Sequence, residues 1–81
     1  MTANHVQCIG IRRIKDKDRI TAYFAYEDKE NVDGIAVLTF TFFGNSRSYN
    51  MADIAKGSYY DITYHRNDKY FNVDGIRKLS S

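Results

Sequence analysis

The chain has 81 residues, room for one domain around one core and not for two, and its 43% hydrophobic and 15% aromatic content is that of a folding chain. A net charge of +2 is too small to prove a nucleic-acid partner by itself, and with no Pro and no Ser/Gly-rich or low-complexity tract there is no linker to divide residues 1–81. No run approaches the roughly 18 apolar residues of a spanning helix, the start lacks a secretory pattern, and the lone Cys8 fits a reducing compartment, so a cytoplasmic chain without membrane association is expected.

The first strand-like run extends from His5 to about Lys15, with Gly10 interrupting it as a bulge or bend would. The polar turn Asp16-Lys17-Asp18 leads to a second run, Arg19 to Glu27. There Ile20, Ala22, Phe24 and Tyr26 alternate with Thr21, Tyr23 and Ala25 at the period of a half-buried strand. A loop ending in Asp33-Gly34, a dipeptide suited to positive φ, precedes a third run from Ile35 to Phe43. Ala36, Leu38, Phe40 and Phe42 share one face of it, and Val37, Thr39, Thr41 and Phe43 the other.

After Gly44 and a polar connection, a short helix is expected from about Asn50 to Lys56. Asn50 is its N-cap, Asp53 lies in its first turn, and Gly57 supplies a left-handed stop. Met51, Ile54 and Ala55 would share the face that plugs the sheet. The fourth run is Ser58 to His65 and the fifth Lys69 to Leu79, joined by the turn residues Arg66-Asn67-Asp68. Asp74-Gly75 reads as a second bulge that resets the phase of the fifth run.

Five strands with a short helix between the third and fourth make an all-β chain with small α content. This is the order of the OB-fold, a five-stranded Greek-key barrel. An SH3-like barrel is the alternative, but its helical turn falls before the last strand. The stretch Lys56 to Leu79, with Lys-Gly-Ser-Tyr-Tyr-Asp-Ile-Thr-Tyr and then Tyr-Phe-Asn-Val-Asp-Gly-Ile, resembles the closing hairpin of small OB-fold single-stranded-DNA-binding proteins of phage and mobile-element type. That resemblance implies a single OB-fold domain over residues 1–81 and a replication-accessory role. Its grip on ligand would use the loop between the fourth and fifth strands.

Single strands are held by positive charge and by aromatic faces on which bases stack, each stack worth about 1–3 kcal/mol. Candidates on the outward face of the second and third runs are Tyr23, Thr39, Thr41 and Phe43. Arg12 or Arg13 on the first run, Arg19 at the start of the second, and Arg47 with Tyr49 in the connection complete the groove. Arg66, Lys69 and Tyr70 sit at the last hairpin. Most of the twelve aromatics must fill the core all the same, so Phe24, Phe40, Phe42, Tyr60, Tyr64 and Phe71 are assigned inward. Tyr23 and Phe43, with Thr or Ala as in-phase neighbours, are assigned outward.

Catalytic readings find little. His5 and Cys8, three apart on a strand, face opposite sides, and no ligand pair supports zinc. Asp16-Lys17-Asp18 lacks the Gly and Glu of a calcium loop, and there is no phosphate cradle or nucleophile elbow. No cofactor is implied. His65 reads as an exposed turn residue and Cys8 as an inert core thiol. The expected function is therefore non-enzymatic binding of single-stranded nucleic acid, DNA ahead of RNA. The competing reading is a docking module, an accessory subunit of a larger replication or secretion complex, seeded by Val37 and Phe43. An open strand edge would also permit a homo-oligomer.

Overall fold

A computed structural model describes residues 1–14 and 16–79. Five antiparallel strands form one sheet: β1 (Thr2–Arg13), β2 (Arg19–Tyr26), β3 (Ala36–Phe43), β4 (Tyr59–Asn67) and β5 (Tyr70–Leu79). Their spatial order is β3-β2-β1-β4-β5, and the sheet coils until its two outer strands, β3 and β5, come into contact. The Lys15 end expected for the first strand lies outside the described residues.

The coiling depends on β1. Its first half pairs with β4 and its second half with β2, and Gln7 stands opposite Tyr59 on one edge and Ala25 on the other. Two register shifts bend it. One, between Cys8 and Gly10, falls at the expected glycine. The other, between Ala3 and Val6, gave no glycine signal; there His5 takes a left-handed φ of 53°. Its N–H donates to the Asp61 carboxylate at 2.9 Å and its ring stacks on Tyr59 at 4.9 Å, two contacts that hold an uncommon conformation. In β5 the extra residue is Asp74, since Thr63 pairs with Gly75 and Tyr64 with Val73.

The inward alternation of β2 and β3 builds the core. Ile20, Ala22, Phe24, Ala36, Phe40 and Phe42 are buried, as are Val6, Cys8, Tyr60 and Ile62 from β1 and β4. Phe24 is its hub, with Phe40, Phe42 and Tyr60 rings 6.0, 6.1 and 5.8 Å away. These tilted and edge-on contacts suit the ring quadrupoles. Two aromatics assigned inward depart from this pattern. Tyr64 is only half-buried, and Phe71, though its ring meets Tyr64 at 5.2 Å, is 40% exposed.

The expected helix is a single 3-10 turn, Met51–Asp53, between β3 and β4. Asn50 does cap it, accepting from the Ala52 N–H at 3.0 Å. Propagation stops because the next backbone groups are already taken. The Tyr60 hydroxyl donates to the Asp53 carbonyl and accepts from the Ala55 N–H, both at 2.8 Å. Ile54 turns extended and drops into the core. Beyond it, Gly57 at φ 93° donates to the Cys8 carbonyl at 2.7 Å, which lays the chain along β1 instead of ending a helix.

Candidate nucleic-acid interface

Side chains directly opposite each other in an antiparallel pair share a face. On the outward side of β2 and β3 the pairs are Arg19 with Phe43, Thr21 with Thr41, Tyr23 with Thr39, and Ala25 with Val37. β1 extends two of these rows, Arg12 opposite Thr21 and Gly10 opposite Tyr23. The missing side chain at Gly10 leaves room for the Tyr23 ring, whose Cδ2 lies 3.6 Å from where a Cβ would stand. Arg13 is opposite the core residue Ile20 and belongs to the other face, so the register selects Arg12 over Arg13 for this surface.

Beside this face runs a cleft of about 520 Å³, lined by Arg19, Thr39, Thr41 and Phe43 on one side and by Lys69, Tyr70, Phe71 and Asn72 of the β4–β5 hairpin on the other. Six residues singled out in the sequence thus meet: Arg19, Thr39, Thr41, Phe43, Lys69 and Tyr70. The hairpin turns tightly, with Asn67 paired to Tyr70 and Asp68 at φ 58°, and this puts Tyr70 at its tip, 73% exposed. Phe43 is 42% exposed. Exposed rings on both walls, with a cation on each, suit a planar, anionic ligand.

Arg19 joins this cleft to a shallower one lined by Lys17, Asp18, Phe43 and Asn45. Its Nε is buried and has no hydrogen-bond partner among the described residues. The donors Arg19 can offer an anion in the cleft are therefore the outer guanidinium nitrogens, not this enclosed Nε. Close by, Gly44 donates to the Asp18 carbonyl at 2.9 Å, and a Cβ there would collide with the Asp18 carboxylate. This contact ties the end of β3 to the β1–β2 turn.

The remaining sequence candidates are placed differently. Tyr49 is a strut: its ring meets Phe42 edge-on at 5.3 Å and its hydroxyl accepts from the Phe43 N–H at 2.9 Å. It positions Phe43 and does not line the cleft. Arg47 is exposed in the β3–β4 connection, apart from the cleft lining. Arg66 is exposed, its Nε donating to the Asp68 carbonyl at 3.2 Å. Tyr23 is half-buried on the outward face. Phe71 and Asn72 were not anticipated as cleft residues; the signal that finds them is their position just past a two-residue hairpin.

Charge divides this surface into two ends. Arg12, Arg19 and Lys69 lie at the cleft end, with Asp18 and Asp68 beside the latter two, while Glu27, Asp28, Glu30 and Asp33 against Lys29 occupy the β2–β3 loop at the other. Elsewhere, the Asp61 carboxyl is held below its ordinary range, first by the His5 N–H and then by the Arg77 guanidinium at 2.6 Å. His65 Nδ1 lies 2.8 Å from Asp74 on the exposed side of β4 and β5. Burial pushes the Cys8 thiol up, and its nearest polar contact is the Gly10 carbonyl at 3.7 Å. Among the described residues no three or more His, Cys, Asp or Glu gather as metal ligands, and no helix is long and apolar enough to cross a membrane.

Comparison of the chain with protein families, curated proteins and solved structures finds no match.

Proposed function

We propose that the chain is an OB-fold barrel that binds single-stranded nucleic acid without catalysing a reaction. The observation that carries this reading is the cleft between β3 and the β4–β5 hairpin, where Phe43 and Tyr70 offer exposed rings and Arg19 and Lys69 offer charge. Strand order β3-β2-β1-β4-β5 with β3 against β5 supports the barrel, as does a helical turn between β3 and β4. The same turn position argues against an SH3-like arrangement. The likeness of Lys56–Leu79 to phage-type closing hairpins puts DNA ahead of RNA.

Fluorescence anisotropy with labelled single-stranded DNA and RNA of equal length, at two salt concentrations, tests the reading. Binding is expected to be stronger to DNA, weaker at high salt and poorly competed by duplex, since stacking needs unpaired bases. Tyr70→Ala should remain folded and lose about 1–3 kcal/mol of affinity. Equal binding by Tyr70→Ala and the parent would remove the cleft from the site.

One observation favours a second reading, docking of a protein. Ile35 and Val37 are 73% and 48% exposed at the opposite end of β3 from Phe43. Six residue steps of strand separate Val37 from Phe43, about 20 Å, so the two surfaces are distinct.

A further inference from the structure

The first half of β3 presents a sheet edge that no described strand covers. β3 pairs with β2 along all eight of its residues without a bulge. β5 approaches only its later part, where Phe71 meets Phe40 at 6.3 Å and Lys69 to Asn72 face Thr39 to Phe43 across the cleft. Exposed edges are normally blunted by a charge, a proline, a bulge or a covering loop. Residues 35–43, IAVLTFTFF, contain neither charge nor proline. By contrast β5, the other outer strand, carries Arg77, Lys78 and the Asp74 bulge.

We propose that this edge pairs with the β3 edge of a second copy, antiparallel, about a two-fold axis near Val37. On that register Val37 meets Val37, and each Ile35 lies opposite Thr39 of the other copy, so four exposed aliphatic side chains cover one another on the outward face. Antiparallel pairing also brings the start of one β3 to the end of the other. The acidic loop that precedes β3, with Asp28, Glu30 and Asp33, then runs toward Arg19 and Lys69 of the second copy. Charge complementarity therefore favours a second copy over an unrelated apolar partner. A two-fold contact of this kind uses each edge once and closes at a dimer. The paired segment is short against the roughly 1,200–2,000 Å² of stable complexes, so the dimer is weak and concentration-dependent. The pairing rests on the β3 edge and not on the proposed nucleic-acid function, but its acidic loop and an anionic strand compete for Arg19 and Lys69.

Sedimentation equilibrium of the full chain over a concentration series tests it. The average mass should rise from 9.4 kDa toward twice that value. Val37→Lys, at an exposed outward position, should keep the circular-dichroism spectrum and melting curve of the parent and stay monomeric, whereas Val37→Ile should still dimerise. If Val37→Lys fails to fold, Ile35→Lys, just outside the strand, replaces it with the same expected outcome. Asp33→Lys and Lys69→Asp should each weaken the dimer roughly tenfold, and the two together should restore it. A chain that is monomeric at every concentration overturns the proposal. So does a folded Val37→Lys or Ile35→Lys variant that associates as tightly as the parent.

Discussion

Phe40 and Tyr23 are both strand aromatics near the middle of the sheet, and register alone gives them different jobs. Phe40 is 1% exposed and packs on Phe24, Phe42 and Tyr64, whereas Tyr23 lies outward over Gly10. Phe40→Ala should cost about 3–5 kcal/mol in denaturant unfolding, a large fraction of the stability of a small domain. Tyr23→Ala should unfold near the parent midpoint and act on oligonucleotide affinity instead. The period-2 alternation made this distinction legible for β2 and β3, because both strands are regular from end to end. It failed for Phe71, whose phase is right but whose position at the mouth of the coiled sheet leaves no layer above it. Asp61 provides a separate test by pH. Its folded pKa is depressed by the His5 N–H and Arg77, so its contribution to stability is complete above the ordinary carboxylate range. That contribution disappears as the pH falls through the depressed value. Asp61→Asn should therefore lessen the loss of stability between mildly and strongly acidic pH, as read from thermal melts across that window.

Between β3 and β4, local signals and tertiary contacts compete. Asn50, Asp53 and Gly57 all suit a helix of two turns, and the cap does form, but only Met51–Asp53 turns. What the sequence could not display is a hydroxyl arriving from β4: Tyr60 binds the Asp53 carbonyl and the Ala55 N–H and so uses the groups a longer helix needs. Tyr60→Phe keeps the buried ring and removes only those bonds. A loss of about 1–2 kcal/mol is expected, with faster amide hydrogen exchange confined to residues 51–56. Unchanged exchange there would mean that the Ile54 anchor alone sets the connection. The β1 bulges show the same limit. Gly10 advertised one of them, while the other rests on a histidine held by Asp61 and Tyr59, partners 54 or more residues away in sequence.

At the scale of the molecule, the net charge of +2 is unevenly placed: four of the ten acids lie in the β2–β3 loop at the far end of β3, while Asp18 and Asp68 stand beside Arg19 and Lys69 at the cleft. On the proposed reading, a phosphate chain in the cleft meets Arg19 and Lys69 and, where it crosses the outward face of β2 to β1, Arg12; further along that face, toward Glu27 and Asp33, it meets repulsion. The footprint should be short for that reason, and few phosphates should be neutralised. For single strands the logarithm of the affinity falls by about 0.7 for each phosphate contact per decade of salt. Three cations thus give a slope near −2, with roughly −3 as the limit if Arg47 or Arg66 reaches a fourth phosphate. Lys69→Gln should bring the slope close to −1.4 while lowering affinity evenly across oligonucleotide sequences, because a phosphate contact reads no base. Charge removal at the acidic loop, as in Asp33→Asn, should strengthen binding slightly and leave the slope of the parent. A slope that Lys69→Gln does not change would place the phosphates away from the β4–β5 hairpin. The outward face of β1 and β2, around Arg12, would then be the surface that carries the strand.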